Sequence, residues 1–283
     1  MSISIQSLLG DFSVEITGKD AESFTEASGL LPEGSRVNVT YLGNEDLQLR
    51  RSTSAVVKAG GHRPVPHISA RRVTSHQELQ EFLSALHEDG TSAHILVIAG
   101  DPSEPMGPYE DALAIFKTGP ALGDFGVQRV SISGYPEGHP DIPDEVLWSA
   151  LKAKFEILTE QGQEAEIVTQ FGFDVEAVIK WIELLRESGV SLPVRVGVPG
   201  PAGVKRLLAY ARRFGVASST GIAKKYGLSL TNLLSTAGPD QFLSHLAERL
   251  DPNAHGDVRI HFYTFGGLQR TAEWVRDFST TEE

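Results

Sequence analysis

The strongest constraint on this chain is a rhythm. Over 283 residues, eight short apolar stretches with the look of strands alternate with stretches of helical period. The strand candidates are Phe12–Ile16, Arg36–Leu42, Val65–Ser69, His94–Ile98, Gln128–Ser133, Glu166–Phe171, Val194–Val198 and Val258–Phe265. Helix-period segments such as Ser75–His87, Asp144–Gln161, Val175–Ser188 and Val204–Arg213 stand between them. The clearest places Val178, Ile179, Ile182 and Leu185 on one stripe, with Asp174 before it as N-cap. Ala217–Leu250 reads as extra helices before the last strand. Alternation of this length predicts an α/β fold, a single (β/α)8 TIM barrel covering 1–283. An open doubly wound sheet is the competitor, but it carries a glycine fingerprint after its first strand. Here that position reads Thr17-Gly18-Lys19-Asp20, which is no such fingerprint.

Composition removes several function classes. The net charge is −12, and basic residues gather only in pairs such as Arg71-Arg72 and Lys224-Lys225, which argues against nucleic acid as a partner. An anionic small ligand stays open, because the field inside a cleft can oppose the net sign. The absence of cysteine rules out disulfides, thiolate metal sites and a cysteine nucleophile. No apolar run reaches the roughly 20 residues of a membrane helix. The opening residues lack the positive segment of a signal peptide, so a cytoplasmic location is expected.

In a (β/α)8 barrel the active site forms where the strands end. The first strand places Glu15 near its end, on the face opposite Phe12, Val14 and Ile16. The second ends at Thr40-Tyr41, the third at His67-Ile-Ser, the fourth at Ala99-Gly100-Asp101 and the sixth at Gln170. The fifth runs into Gly134-Tyr-Pro-Glu-Gly-His-Pro140, a proline-stiffened turn presenting Tyr135, Glu137 and His139. Each residue alone has a structural reading: a strand carboxylate, a satisfied core histidine, an N-cap. Six polar strand ends together point to a site, since buried polar side chains are costly to keep. Gly197-Val-Pro-Gly200-Pro-Ala-Gly203 lies where barrels often bind phosphate, but its spacing better suits a tight loop. No HxH or HExxH pattern supports a metal site. A metal-dependent barrel hydrolase using His67, Asp101, His139 and His261 is a second reading that needs those ligands to converge.

These strand ends resemble the methylenetetrahydrofolate reductase family, flavin-dependent barrel enzymes of one-carbon metabolism. The resemblance runs from Phe12-Ser-Val-Glu15 to His261-Phe-Tyr-Thr264. It takes in Val37-Asn-Val-Thr40-Tyr41, Val65-Pro-His67-Ile, Gly100-Asp101, Tyr135-Pro-Glu-Gly-His139-Pro and Thr169-Gln170-Phe-Gly-Phe-Asp174. It implies reduction of 5,10-methylenetetrahydrofolate to 5-methyltetrahydrofolate, with FAD carrying hydride from NAD(P)H, in service of methionine biosynthesis. It assigns Glu15 as the general acid that protonates the folate nitrogen as the five-membered ring opens to an iminium. Asp101 is assigned to the pterin and the cationic iminium, and Gln170 to the pterin edge. Thr40, His67, Ala99, Gly100, Asp101, Tyr109, Tyr135 and His139 fall on flavin positions, and Lys154 fits the flavin-contacting lysine.

The chain departs from the family at several points. Ala99 stands where the family commonly has arginine, and Ile16-Thr17-Gly18 replaces a Phe-Pro-Pro run. Val204 replaces an aromatic of the seventh loop, and an arginine after the last strand is lost near Gly267. These losses weaken the case for FAD more than the case for folate, so direct hydride transfer from NADH is an alternative. A non-catalytic pterin-binding protein is another. Folate and a nicotinamide nucleotide are the expected partners, and a homo-oligomer is left open.

Overall fold

The computed structural model describes residues 3–41, 43, 45–213 and 236–281. Its strands are β1 (Ser13–Thr17), β2 (Arg36–Thr40), β3 (Arg63–Ser69), β4 (His94–Ile98), β5 (Arg129–Gly134), β6 (Glu164–Phe171), β7 (Val194–Pro199), β8 (Ala202–Gly203), β9 (Thr236–Ala237) and β10 (Val258–Tyr263). Eight of them form a closed barrel in the order β1-β10-β7-β6-β5-β4-β3-β2. Where registers are defined, as in β2 with β3 and β7 with β10, the pairing is parallel. The two-residue strands β8 and β9 pair antiparallel outside the barrel. The (β/α)8 class expected from the strand–helix rhythm is the fold observed.

Observed elements lie within a residue or two of those read from the sequence, and β4 and the helix Val204–Arg213 coincide with them. The strand β3 begins two residues earlier, at Arg63, and carries Pro64 and Pro66. Neither proline has a backbone donor, and the ladder to β4 begins only at His67. Of the stretch 217–250, residues up to 235 lie outside the described residues. The helix Asp240–Arg249 lies within it.

The chain forms two compact units. One comprises 15–133 and 149–166, the other 1–14, 134–148 and 167–283. In the first, Val37, Val39, Ile95, Val97, Val130 and Ile132 are buried strand residues. The helix Leu47–Ala59 packs on β3 and on the helix His76–Glu88, which buries Leu79, Phe82, Leu83 and Leu86. Such side chains contribute about 1.5–3 kcal/mol each when fully buried. Ser75 and Asp46 cap these two helices by accepting from the backbone N–H of Glu78 and Leu49.

In the second unit, Val194, Val196, Val198, Ile260 and Phe262 fill β7 and β10. The helix Val175–Glu187 buries the expected stripe together with Trp181, and Asp174 caps it through Glu176 and Ala177. Among the described residues no helix is long and apolar enough to cross a membrane.

Candidate active site

In the unit of residues 15–133 and 149–166, Glu15 is the middle residue of β1, between the buried Val14 and Ile16. Its side chain is 17 % exposed, and Oε2 lies 3.9 Å from His67 Nε2, beyond hydrogen-bond length. His67 is buried in β3, and its Nε2 is 3.1 Å from Oδ1 of Asn38 in β2. That contact orients the imidazole beside the carboxyl. Thr40, half-buried, closes β2.

Past β4 the chain turns at Gly100, whose φ of 94° lies in the region that favours glycine. A Cβ at Gly100 would come within 1.9 Å of Ser69 Oγ, so the turn after β4 sits tightly on the end of β3. The turn Ala70–Arg72, which follows β3, then builds the loop beyond. Arg71 donates to the carbonyls of Pro102, Ser103 and Glu110. Arg72 donates to Asp101 Oδ1 from Nε at 2.9 Å and from Nη2 at 2.5 Å. Its Nη1 also reaches the Gly43 carbonyl at 3.3 Å, and its guanidinium lies 5.1 Å from the Tyr41 ring centre. Arg50 covers the Tyr41 ring at 3.7 Å and donates to the His67 carbonyl. Burial pushes Arg50 down to about 10, which leaves it charged at neutral pH. The carbonyl of His67 and the carboxylate of Asp101 are thus each held by an arginine that faces Tyr41.

Two positions that the family resemblance gives to the flavin are core positions here. Tyr109 is 0 % exposed, with its hydroxyl 2.6 Å from His76 Nδ1, so it has no surface to offer a ligand. Lys154 is buried on the inner side of the helix Asp144–Glu160, where burial pushes its amine down to about 8. Ala99 contributes no polar side chain.

In the other unit, Tyr135 and His139 meet edge to face with ring centres 5.5 Å apart. His139 Nδ1 accepts from the Asp141 N–H, and Gly138 takes the positive φ of the turn. Glu137 does not serve as an open side chain on that loop. Its Oε1 accepts from the backbone N–H of Phe173 at 2.6 Å and Asp174 at 2.9 Å, tying the loop after β5 to the loop after β6. Gln170 sits where the register of β6 on β7 shifts, and its Oε1 accepts from the N–H of Phe171. Close by, Tyr263 donates to the Thr169 carbonyl, and Phe171, Tyr263 and Phe265 meet ring to ring. The sequence reading passed over Asn38, Arg50 and Arg72. The Arg71-Arg72 pair was visible in the sequence, but only as evidence about nucleic acid. Among the described residues, no three His, Asp or Glu side chains are placed to hold a metal ion together.

The family model for methylenetetrahydrofolate reductase matches residues 17–226. The 5,10-methylenetetrahydrofolate reductase of Pectobacterium carotovorum subsp. carotovorum is 26% identical over 181 residues, 62% of this chain and 57% of that protein. The enzyme of the same name from Buchnera aphidicola subsp. Baizongia pistaciae is 23% identical over 182 residues, 62% and 55%. Methylenetetrahydrofolate reductase 1 of Schizosaccharomyces pombe is 30% identical over 152 residues, 52% and 23%. The match therefore spans about half the length of the bacterial relatives and less than a quarter of that yeast one. Among solved structures, a Clostridium thermocellum protein described as binding two copies of 5-methyl-5,6,7,8-tetrahydrofolic acid superposes with a TM-score of 0.60. Its identity is 12%, and the match covers 98% of both chains. A deoxyribose phosphate aldolase from Aeropyrum pernix gives 0.51 at 11% identity, over 98% of this chain and 93% of that one. At such identities the structural likeness speaks to the barrel alone.

Proposed function

This chain belongs to the methylenetetrahydrofolate reductase family, and from that premise we propose that it reduces 5,10-methylenetetrahydrofolate to 5-methyltetrahydrofolate with hydride from NAD(P)H. The observation that carries the proposal is Glu15: a carboxyl in an apolar strand, partly open, with an oriented imidazole beside it. The product carries its methyl on N5, so N10 is the nitrogen that must leave. An amine leaves poorly until it is protonated, and Glu15 supplies that proton as general acid. The bond from the bridging carbon to N10 breaks with its electron pair going to N10, and a methylene iminium remains on N5. Asp101 stabilises that cation through its carboxylate. Hydride from the dihydronicotinamide then adds to the bridging carbon, the nicotinamide is oxidised, and Glu15 regains its proton from solvent.

The residues at the family's flavin positions do not fit a tightly held FAD. Tyr109 is closed into the core, Lys154 lies beneath the surface, and Ala99 brings no charge of its own to the turn at Gly100. Thr40, His67, Tyr135 and His139 are present, but they do not replace those groups. No step is therefore routed through flavin, and direct transfer from the nicotinamide is the reading these residues support.

The test is the visible spectrum of the purified protein, followed by an NADH and methylenetetrahydrofolate assay with and without FAD. A colourless protein active without FAD is expected. A protein that carries flavin, or that stays silent until FAD is added, would replace direct transfer with relay through flavin. Glu15→Gln should cut folate reduction by about 10²- to 10⁴-fold. Full activity in that variant would remove Glu15 from the chemistry.

A further inference from the structure

Asp101 presents a problem that the structure itself answers. Its side chain is 64 % exposed, on a loop, and an exposed aspartate samples several rotamers. A carboxylate that stabilises a transient cation has to be in place before the cation forms. Arg72, by contrast, is only 14 % exposed. It comes from the short turn after β3 and is already anchored by the Gly43 carbonyl and the face of Tyr41. In this pair the cation is the fixed member and the carboxylate is the one being held.

We propose that Arg72 is a positioning residue for the reduction: it locks Asp101 in one rotamer and leaves one carboxylate oxygen for the ligand. The inference rests on the functional reading above. Both guanidinium bonds go to Oδ1, and Oδ2 has no hydrogen-bond partner among the described residues. Two charge-assisted bonds to one oxygen fix the side chain more firmly than one would. Its neighbour Arg71 fixes the main chain of the same loop through three carbonyls. Consecutive arginines thus set both the backbone and the side chain that present Oδ2. The pair is a dipole with its negative end left for a cation. It attracts less strongly than a bare carboxylate at that point, but it holds the point.

The test is a four-protein cycle in the full chain: wild type, Arg72→Ala, Asp101→Asn and the double variant, with Arg72→Lys alongside. Arg72→Ala should lower kcat about tenfold, leave KM for the folate within twofold and leave Tm unchanged within two degrees. Arg72→Lys should recover part of the loss, because it restores the charge without the two-pronged grip. In the Asp101→Asn background, Arg72→Ala should change kcat by less than twofold. The proposal is overturned by an unchanged kcat, by a loss that tracks Tm, or by the same tenfold loss with and without Asp101. If the wild type reduces no folate, the functional reading falls, and NMR of the Asp101 side chain then decides this inference alone. One χ1 rotamer in wild type that becomes averaged in Arg72→Ala upholds it, and equal order in both overturns it.

Discussion

Within the unit of residues 15–133 and 149–166, the strands carry two polar clusters, one toward their amino ends and one toward their carboxyl ends. At the amino ends, Arg36 of β2 meets Glu166 of β6 at 3.2 Å. Ser131 of β5 donates to the same carboxylate at 3.0 Å, and His94 of β4 lies 2.8 Å from Ser131 Oγ. Every member is buried or nearly so, and each is answered by another member. At the carboxyl ends, the Glu15 carboxyl lies partly exposed beside His67, and Asp101 faces solvent with one oxygen that has no hydrogen-bond partner among the described residues. Saturation under burial is what a structural polar cluster requires, because an unpaired buried charge is expensive. Open valence held on fixed partners is what a reacting site requires. Acidic side chains serve both ends, and the difference lies in their exposure, Glu166 being buried and Asp101 open to solvent.

Substitutions should separate the ends by kind of damage. The largest effect on folding is expected from Glu166→Ala, which strands Arg36 in the interior. Urea unfolding should show a loss of about 3–5 kcal/mol, with activity per folded molecule preserved. Asp101→Asn should show the reverse, with stability within about 0.5 kcal/mol of wild type, as for most exposed sites, and activity reduced. If both changes damaged the same property, the division between the ends would collapse.

Acid provides a finer probe. Burial, with Arg36, Arg129 and Arg63 nearby, pushes His94 down to about 3. A histidine whose folded value is depressed binds its proton more readily in the unfolded chain. Its contribution is therefore intact above about pH 6.5 and is lost as the pH falls toward 3, at up to about 1.4 kcal/mol per pH unit. Glu166, pushed up by its own burial, works in the opposite sense. The contribution of His94 should thus be read as the difference between wild type and His94→Asn across that range. A difference that does not change with pH would contradict the assignment.

The smallest effect concerns Lys154, a buried amine outside both clusters. Lys154→Met should raise stability by about 1–3 kcal/mol below pH 8, where wild type must bury a charge. The gain should fade toward pH 10.5, where the unfolded lysine also loses its proton. Stability curves at pH 7 and pH 10 would show it, and a constant gain would mean that packing alone is responsible.

The barrel was legible because buried parallel strands are short apolar runs, and their period survives in the sequence. His94–Ile98 and Val204–Arg213 needed no tertiary information to be delimited. The polar residues were legible as positions on the strands, although Glu15 lies in the middle of β1 and His67 inside β3, and only Asp101 lies past a strand end. Their partners were not. Arg72 meets Asp101 across 29 residues and Arg36 meets Glu166 across 130, and no local pattern announces contacts of that span. Glu137 looked like an open side chain because its acceptors' partners, the N–H groups of Phe173 and Asp174, lie in another loop. Tyr109 shows the limit of resemblance, which transfers a position along the chain but says nothing of whether the ring faces a ligand or the core.

Arg71 grips carbonyl oxygens at 102, 103 and 110, and every amino acid carries one of those. The shape of the loop after β4 is thereby uncoupled from the identity of the residues at those three places. Ser103 or Glu110 can be replaced without loosening those bonds, while the carboxylate of Asp101 stays where it is. A single side chain at one strand end thus fixes the path of the next loop and leaves the side chains along it free to vary.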